Sequence, residues 1–66
     1  MENILIREKL YNFIKNRSRT HAVYLINIEL WSKENNFIFL QVKKELKMLE
    51  EFGVIKYYSK YGWLAR

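Results

Sequence analysis

The sequence predicts an α+β chain of three helices closed by a C-terminal β-hairpin, and three features predict it. Residues 3–16 carry apolar side chains at the 3.6-residue helical period. Residues 37–52 carry a second such stripe, which stops at Gly53. The last thirteen residues then switch to β-branched and aromatic side chains around a turn.

In the first helix Ile6, Leu10, Phe13 and Ile14 recur at i, i+4, i+7 and i+8 and form the core stripe, with Arg7, Glu8 and Lys15 off it. Ile4 and Tyr11, one heptad apart on the other side, read either as scattered surface hydrophobes or as a dimer seam. Asn16-Arg17-Ser18-Arg19-Thr20 has no period and no acid. It reads as a surface loop that concentrates the charge of Lys15, Arg17 and Arg19.

The next segment supports two readings. Residues 22–33 form a helix if Val23, Ile26 and Leu30 point inward, yet Val23-Tyr24-Leu25-Ile26-Asn27-Ile28 is also rich in strand formers. The favoured reading is a short extended stretch near Thr20–Ala22 followed by a helix to Lys33. Glu34-Asn35-Asn36 breaks the pattern, and Asn36 suits the N-cap of a third helix because its side-chain oxygen can accept an orphan N–H of the first turn.

That third helix, residues 37–52, gathers Ile38, Phe39, Val42, Leu46 and Leu49 on one side and Lys43, Lys44 and Lys47 on or beside the other. Gly53 ends it, being the residue that takes a left-handed cap without steric cost. The hairpin covers residues 54–65: Val54–Tyr58 as one strand, Ser59-Lys60-Tyr61-Gly62 as the turn, and Trp63 onward as the return. Strand alternation puts Ile55 with Tyr57 and Lys56 with Tyr58, so one tyrosine is expected on the core and another in solvent.

Sixty-six residues make a single domain, 1–66, without linker, repeat or low-complexity tract. A chain of this size buries only about 60% of its unfolded surface, which raises the expectation of a homodimer. Twelve Lys+Arg against seven Asp+Glu give a net charge of +5 and a pI near 9.6. That balance points to a polyanionic partner such as nucleic acid.

The string Val42-Lys43-Lys44-Glu45-Leu46-Lys47-Met48-Leu49-Glu50-Glu51-Phe52-Gly53-Val54-Ile55 resembles the end of the recognition helix and the entry to the wing in winged helix-turn-helix regulators of the MarR and Lrp type. The match rests on Val42, Leu46, Leu49, Phe52, Gly53, Val54 and Ile55, all structural positions, while the order of elements resembles the family over the whole chain. The resemblance implies a winged helix, a three-helix bundle with a C-terminal wing, that places its third helix in the major groove of double-stranded DNA and its wing along the backbone. The small size and lack of an effector domain resemble stand-alone transcriptional regulators or replication and recombination factors of viruses, plasmids and other mobile elements.

Carried onto this sequence, the groove-facing positions are Phe37, Leu40, Gln41, Lys44, Lys47 and Met48. Gln41 suits an adenine edge, and Lys44 and Lys47, with Lys43 beside them, suit guanine or phosphate. Lys56, Lys60 and Arg66 would clamp backbone from the wing, and Arg17 and Arg19 from the loop. Phe37, Leu40 and Met48 are large and apolar where these regulators usually carry Ser, Thr or Arg. With Ile4, Tyr11 and Trp31 they form the candidate interface set for a second copy or a protein partner, Trp31 serving otherwise as cover for the core edge. Tyr57, Tyr58, Tyr61 and Trp63 make an aromatic hairpin that reads first as cross-strand packing and second as a stacking surface for single-stranded DNA.

Nothing in the sequence favours catalysis, a metal or a cofactor. His21 is the only histidine, there is no cysteine, and the glutamates show no ligand spacing. Ser18, Ser32 and Ser59 lack a paired base, and no glycine-rich phosphate loop is present. The Met1-Glu2-Asn3-Ile4 start lacks the basic region of a signal peptide, and no stretch has the length of a membrane span. The expected setting is the cytoplasm, or the host cytoplasm for a viral protein.

Overall fold

The computed structural model describes residues 3–66, which leaves the Met1-Glu2 part of the start outside the described residues. Helix α1 spans Ile4–Arg17, α2 Leu25–Glu34 and α3 Phe39–Glu51, followed by strands β1 (Ile55–Tyr58) and β2 (Gly62–Ala65). The strands pair antiparallel with Ile55 opposite Ala65, Lys56 opposite Leu64, Tyr57 opposite Trp63 and Tyr58 opposite Gly62. Three helices and a C-terminal hairpin are the α+β architecture expected from the sequence, in the layout of a winged helix.

The core is built where the two clear stripes place it. Ile6, Leu10 and Ile14 of α1 meet Val42, Leu46 and Leu49 of α3, and Val23, Ile28, Trp31 and Ile55 complete the cluster. Each fully buried aliphatic side chain of this kind contributes roughly 1.5–3 kcal/mol relative to its exposed state. Phe13, Trp31 and Phe37 extend the core as a run of rings, with centroids 5.3 Å apart for the stacked first pair and 5.5 Å for the second.

Both α2 and α3 end in the same device. Asn36 lies in the left-handed region at φ 59°, its N–H reaching the Lys33 carbonyl while the Phe37 N–H reaches back to Ser32. Gly53, at φ 78°, repeats this with Gly53 N–H to Glu50 and Val54 N–H to Leu49. These are the paired bonds of a Schellman motif, which satisfy two carbonyls that the helix itself leaves open. Gly53 was expected in this role. Asn36 was expected to start α3, and instead it terminates α2, because Asn is among the few non-glycine residues that tolerate the left-handed conformation. The helix α3 begins two residues later than expected, with Ile38 at its N-cap and exposed.

The second segment also departs from the expected phase. Residues 22–24 are extended, and Val23 makes an isolated bridge to Gly62 of the hairpin. Helix α2 starts only at Leu25, where the Asn27 carboxamide accepts the Tyr24 N–H at 2.9 Å. Its buried positions are Ile28, Trp31 and Ser32, so Ile26 and Leu30, expected inward, face solvent. A helix extended back to residue 22 would have carried Val23, Ile26 and Leu30 on one face; Val23 reaches the core as part of a strand-like segment instead.

That extended segment also anchors the hairpin. The Trp63 N–H donates to the Val23 carbonyl at 2.8 Å, and the Tyr24 hydroxyl donates to the Lys60 carbonyl in the turn at 2.8 Å. Gly62, at φ 76°, lies so close to Val23 that a Cβ there would run into the Val23 carbonyl.

Candidate nucleic-acid interface

Helix α3 offers solvent a face defined by its buried one. With Val42, Glu45, Leu46 and Leu49 inward, the positions farthest from the core fall at i, i+4, i+7 and i+11: Leu40, Lys44, Lys47 and Glu51, all exposed. Gln41 and Lys43 flank this line and are exposed too, and the Lys43 ammonium sits 5.4 Å from the Phe39 ring centroid. Four expected contact residues, Gln41, Lys43, Lys44 and Lys47, therefore share one helix surface. Leu40, 67% exposed, stands among them as a large apolar side chain with no cover.

Of two further residues expected on that face, one lies before the helix and the other is on its flank but partly covered. Phe37 precedes α3 and is half-buried against Trp31, with the Lys9 ammonium 5.9 Å from its ring centroid. Met48 is half-buried, its sulfur 3.3 Å from Nη2 of Arg7. Trp31, the third aromatic of the interface set, is 9% exposed and belongs to the core. In the α1 line Tyr11 is half-buried against the core, so only Ile4 is freely exposed, beside Leu5.

Glu45 is the residue that sequence reasoning missed. It is 2% exposed, and its carboxylate accepts the Arg7 Nε–H at 2.8 Å and the Asn3 backbone N–H at 2.9 Å. Asn3 in turn caps α1, its Oδ1 accepting the Ile6 N–H at 3.1 Å. The cluster joins the start of α1 to the middle of α3, with the Arg7 guanidinium 5.3 Å from the Phe52 ring centroid. The signal lay in spacing: Glu45 falls three after Val42 and four before Leu49, inside the apolar stripe.

The loop and wing cations divide between two sides of the molecule. Arg17 is half-buried, its Nε near the Ala22 carbonyl at 3.4 Å, and it lines an open cleft with Lys9 above the Phe13–Trp31 stack. Arg19 lies instead beside the hairpin, lining one hollow with Tyr61 and Leu64 and a second with Lys15, Leu64 and Arg66. Lys56 and Lys60 are exposed, with their ammonium groups 5.4 Å and 5.9 Å from the ring centroids of Tyr58 and Tyr61. Tyr57 packs edge-on against Trp63 across the strands at 5.0 Å, the expected cross-strand contact, but all three tyrosines of the hairpin remain exposed.

Among the described residues no group of three or more His, Cys, Asp or Glu is placed to hold a metal ion, and no helix is long and apolar enough to cross a membrane. No protein-family model, characterised protein or solved structure matches the chain significantly.

Proposed function

We propose that the protein binds double-stranded DNA through the outer face of α3, as a small regulator or accessory factor of DNA transactions. One observation carries this reading: Gln41, Lys43, Lys44 and Lys47 stand together on the solvent face of a helix whose opposite face is fixed in the core. Such a helix fits a major groove, with Lys44 and Lys47 suited to phosphate or guanine and Gln41 to adenine. The net charge of +5 supplies the attraction to a polyanion that does not depend on sequence.

Fluorescence anisotropy of a labelled blunt duplex across a salt series tests the proposal. Lys44→Ala and Lys47→Ala are each expected to weaken binding and to lower the salt slope by about 0.9. Unchanged affinity in both variants would remove α3 from the interface.

A second reading, a protein-interaction module on the same fold, is favoured by the exposed Leu40 and by Ile38 at the entrance to the helix. The two readings part at Leu40.

A further inference from the structure

The two faces of the hairpin differ in a way that α3 does not explain. Ile55 and Tyr57 with their partners Ala65 and Trp63 form the inner face, where Ile55 is buried and Tyr57 leans on Trp63. Lys56 and Tyr58 with their partners Leu64 and Gly62 form the outer face. Tyr58 is 40% exposed and stands opposite a glycine, so no side chain faces it directly across the strands. Tyr61 at the turn is 55% exposed.

Cations surround this outer side. Two shallow hollows of about 380 and 390 Å³ share Ser18, Arg19 and Leu64 as walls, so they run into one another. Tyr61 closes the first, and Lys15 and Arg66 border the second. Lys56 and Lys60 add two more charges beside the tyrosine rings. Among the described residues no acidic side chain lines either hollow, whereas Glu50 lines the groove against Tyr57 and Trp63 on the inner side.

We infer that the outer face of the hairpin, with Arg19 and Arg66, is a binding site for an unpaired nucleic-acid strand, separate from the α3 face. Phosphates alone would need only the cations. Exposed rings interleaved with cations match a strand whose bases are free to stack, because every base presents a π-face and every linkage a negative charge. The platform is also held in place before binding. The Tyr24 hydroxyl bonds the Lys60 carbonyl, Trp63 bonds Val23, and Gly62 abuts the same residue, so little ordering is required of the turn.

The site goes beyond the duplex reading and is tested apart from it, with a labelled oligothymidylate of about a dozen nucleotides and, in parallel, a blunt duplex. The double variant Tyr58→Ala, Tyr61→Ala is expected to weaken oligothymidylate binding by about tenfold or more while duplex affinity stays within about twofold. Tyr58→Phe with Tyr61→Phe keeps the rings and is expected to retain strand binding. Arg19→Ala with Arg66→Ala, which leaves the rings in place, is expected to lower the salt slope for the single strand by about 0.7 per residue. Absence of oligothymidylate binding at low salt, an equal loss on both probes in the alanine pair, or an unchanged slope in the arginine pair would overturn the site. Loss confined to duplex in Lys44→Ala and Lys47→Ala would bear on α3 alone.

Discussion

The Arg7 guanidinium donates to the buried Glu45 carboxylate at 2.8 Å, so one of the twelve basic side chains is committed inside the protein and fixes α1 against α3. The pair is asymmetric: Glu45 is 2% exposed, while the Arg7 side chain keeps 18% of its surface in solvent. Its effect on function is indirect. By holding Glu45 inward it sets the rotation of α3, and with it the outward line of Leu40, Lys44 and Lys47.

Removing Arg7 leaves a carboxylate without its charge partner in the core. Arg7→Ala is expected to cost about 2–3 kcal/mol, below the ~3–5 of a fully buried pair because water already reaches the arginine. Replacing both residues together, Arg7→Leu with Glu45→Leu, is expected to recover most of that loss, since no charge is then left to desolvate. Urea denaturation of the two variants checks both values, and equal losses would show that packing rather than charge pairing dominates.

Glycines 53 and 62 both sit at positive φ, yet their surroundings predict different costs. Around Gly53 a Cβ meets nothing within 4 Å, so Gly53→Ala pays only the left-handed strain of about 1 kcal/mol. At Gly62 the Cβ would enter the Val23 carbonyl and push β2 off the core, for a loss of more than about 2 kcal/mol. Hydrogen exchange of the Trp63 amide, which bonds Val23, is the local readout. Gly62→Ala should deprotect it, and Gly53→Ala should not.

The legible parts of the fold were those with a strong local signal. The stripes of α1 and α3 and the Gly53 stop follow from side-chain period and a single backbone requirement. The start of α2 was hidden because its position is set by long-range bonds: Val23 pairs with Gly62, 39 residues later, and no local pattern announces that. Asn36 carried two compatible local roles, and tertiary geometry chose the less frequent one. At the candidate interface the lysines of α3 were legible because exposure follows from the opposite stripe. The gathering of Arg19, Tyr61 and Arg66 was not, since it depends on how the loop after α1 meets β2.

Leu40 separates the two functional readings. It is 67% exposed, so Leu40→Glu is expected to leave thermal stability within about 0.5 kcal/mol of the parent. If α3 enters a groove, the new carboxylate opposes phosphate and duplex affinity falls about tenfold or more. An unchanged duplex affinity, measured by anisotropy, would transfer the Leu40 surface to the protein-interaction reading.

The corrected phase of α2 makes the most demanding stability prediction. If Ile28, Trp31 and Ser32 face inward, the side chains at Ile26 and Leu30 contribute little to folding, despite being large and apolar. Ile26→Ser and Leu30→Ser are each expected to shift stability by no more than about 0.5 kcal/mol. Trp31→Ala should cost about 3–5 kcal/mol, because it empties the middle of the Phe13–Trp31–Phe37 stack. In a chain whose core supplies about that much in total, the variant is expected to be largely unfolded at room temperature by circular dichroism. A helix with Ile26 and Leu30 inward reverses the order: the serine variants would then unfold the protein, and Trp31→Ala would be tolerated.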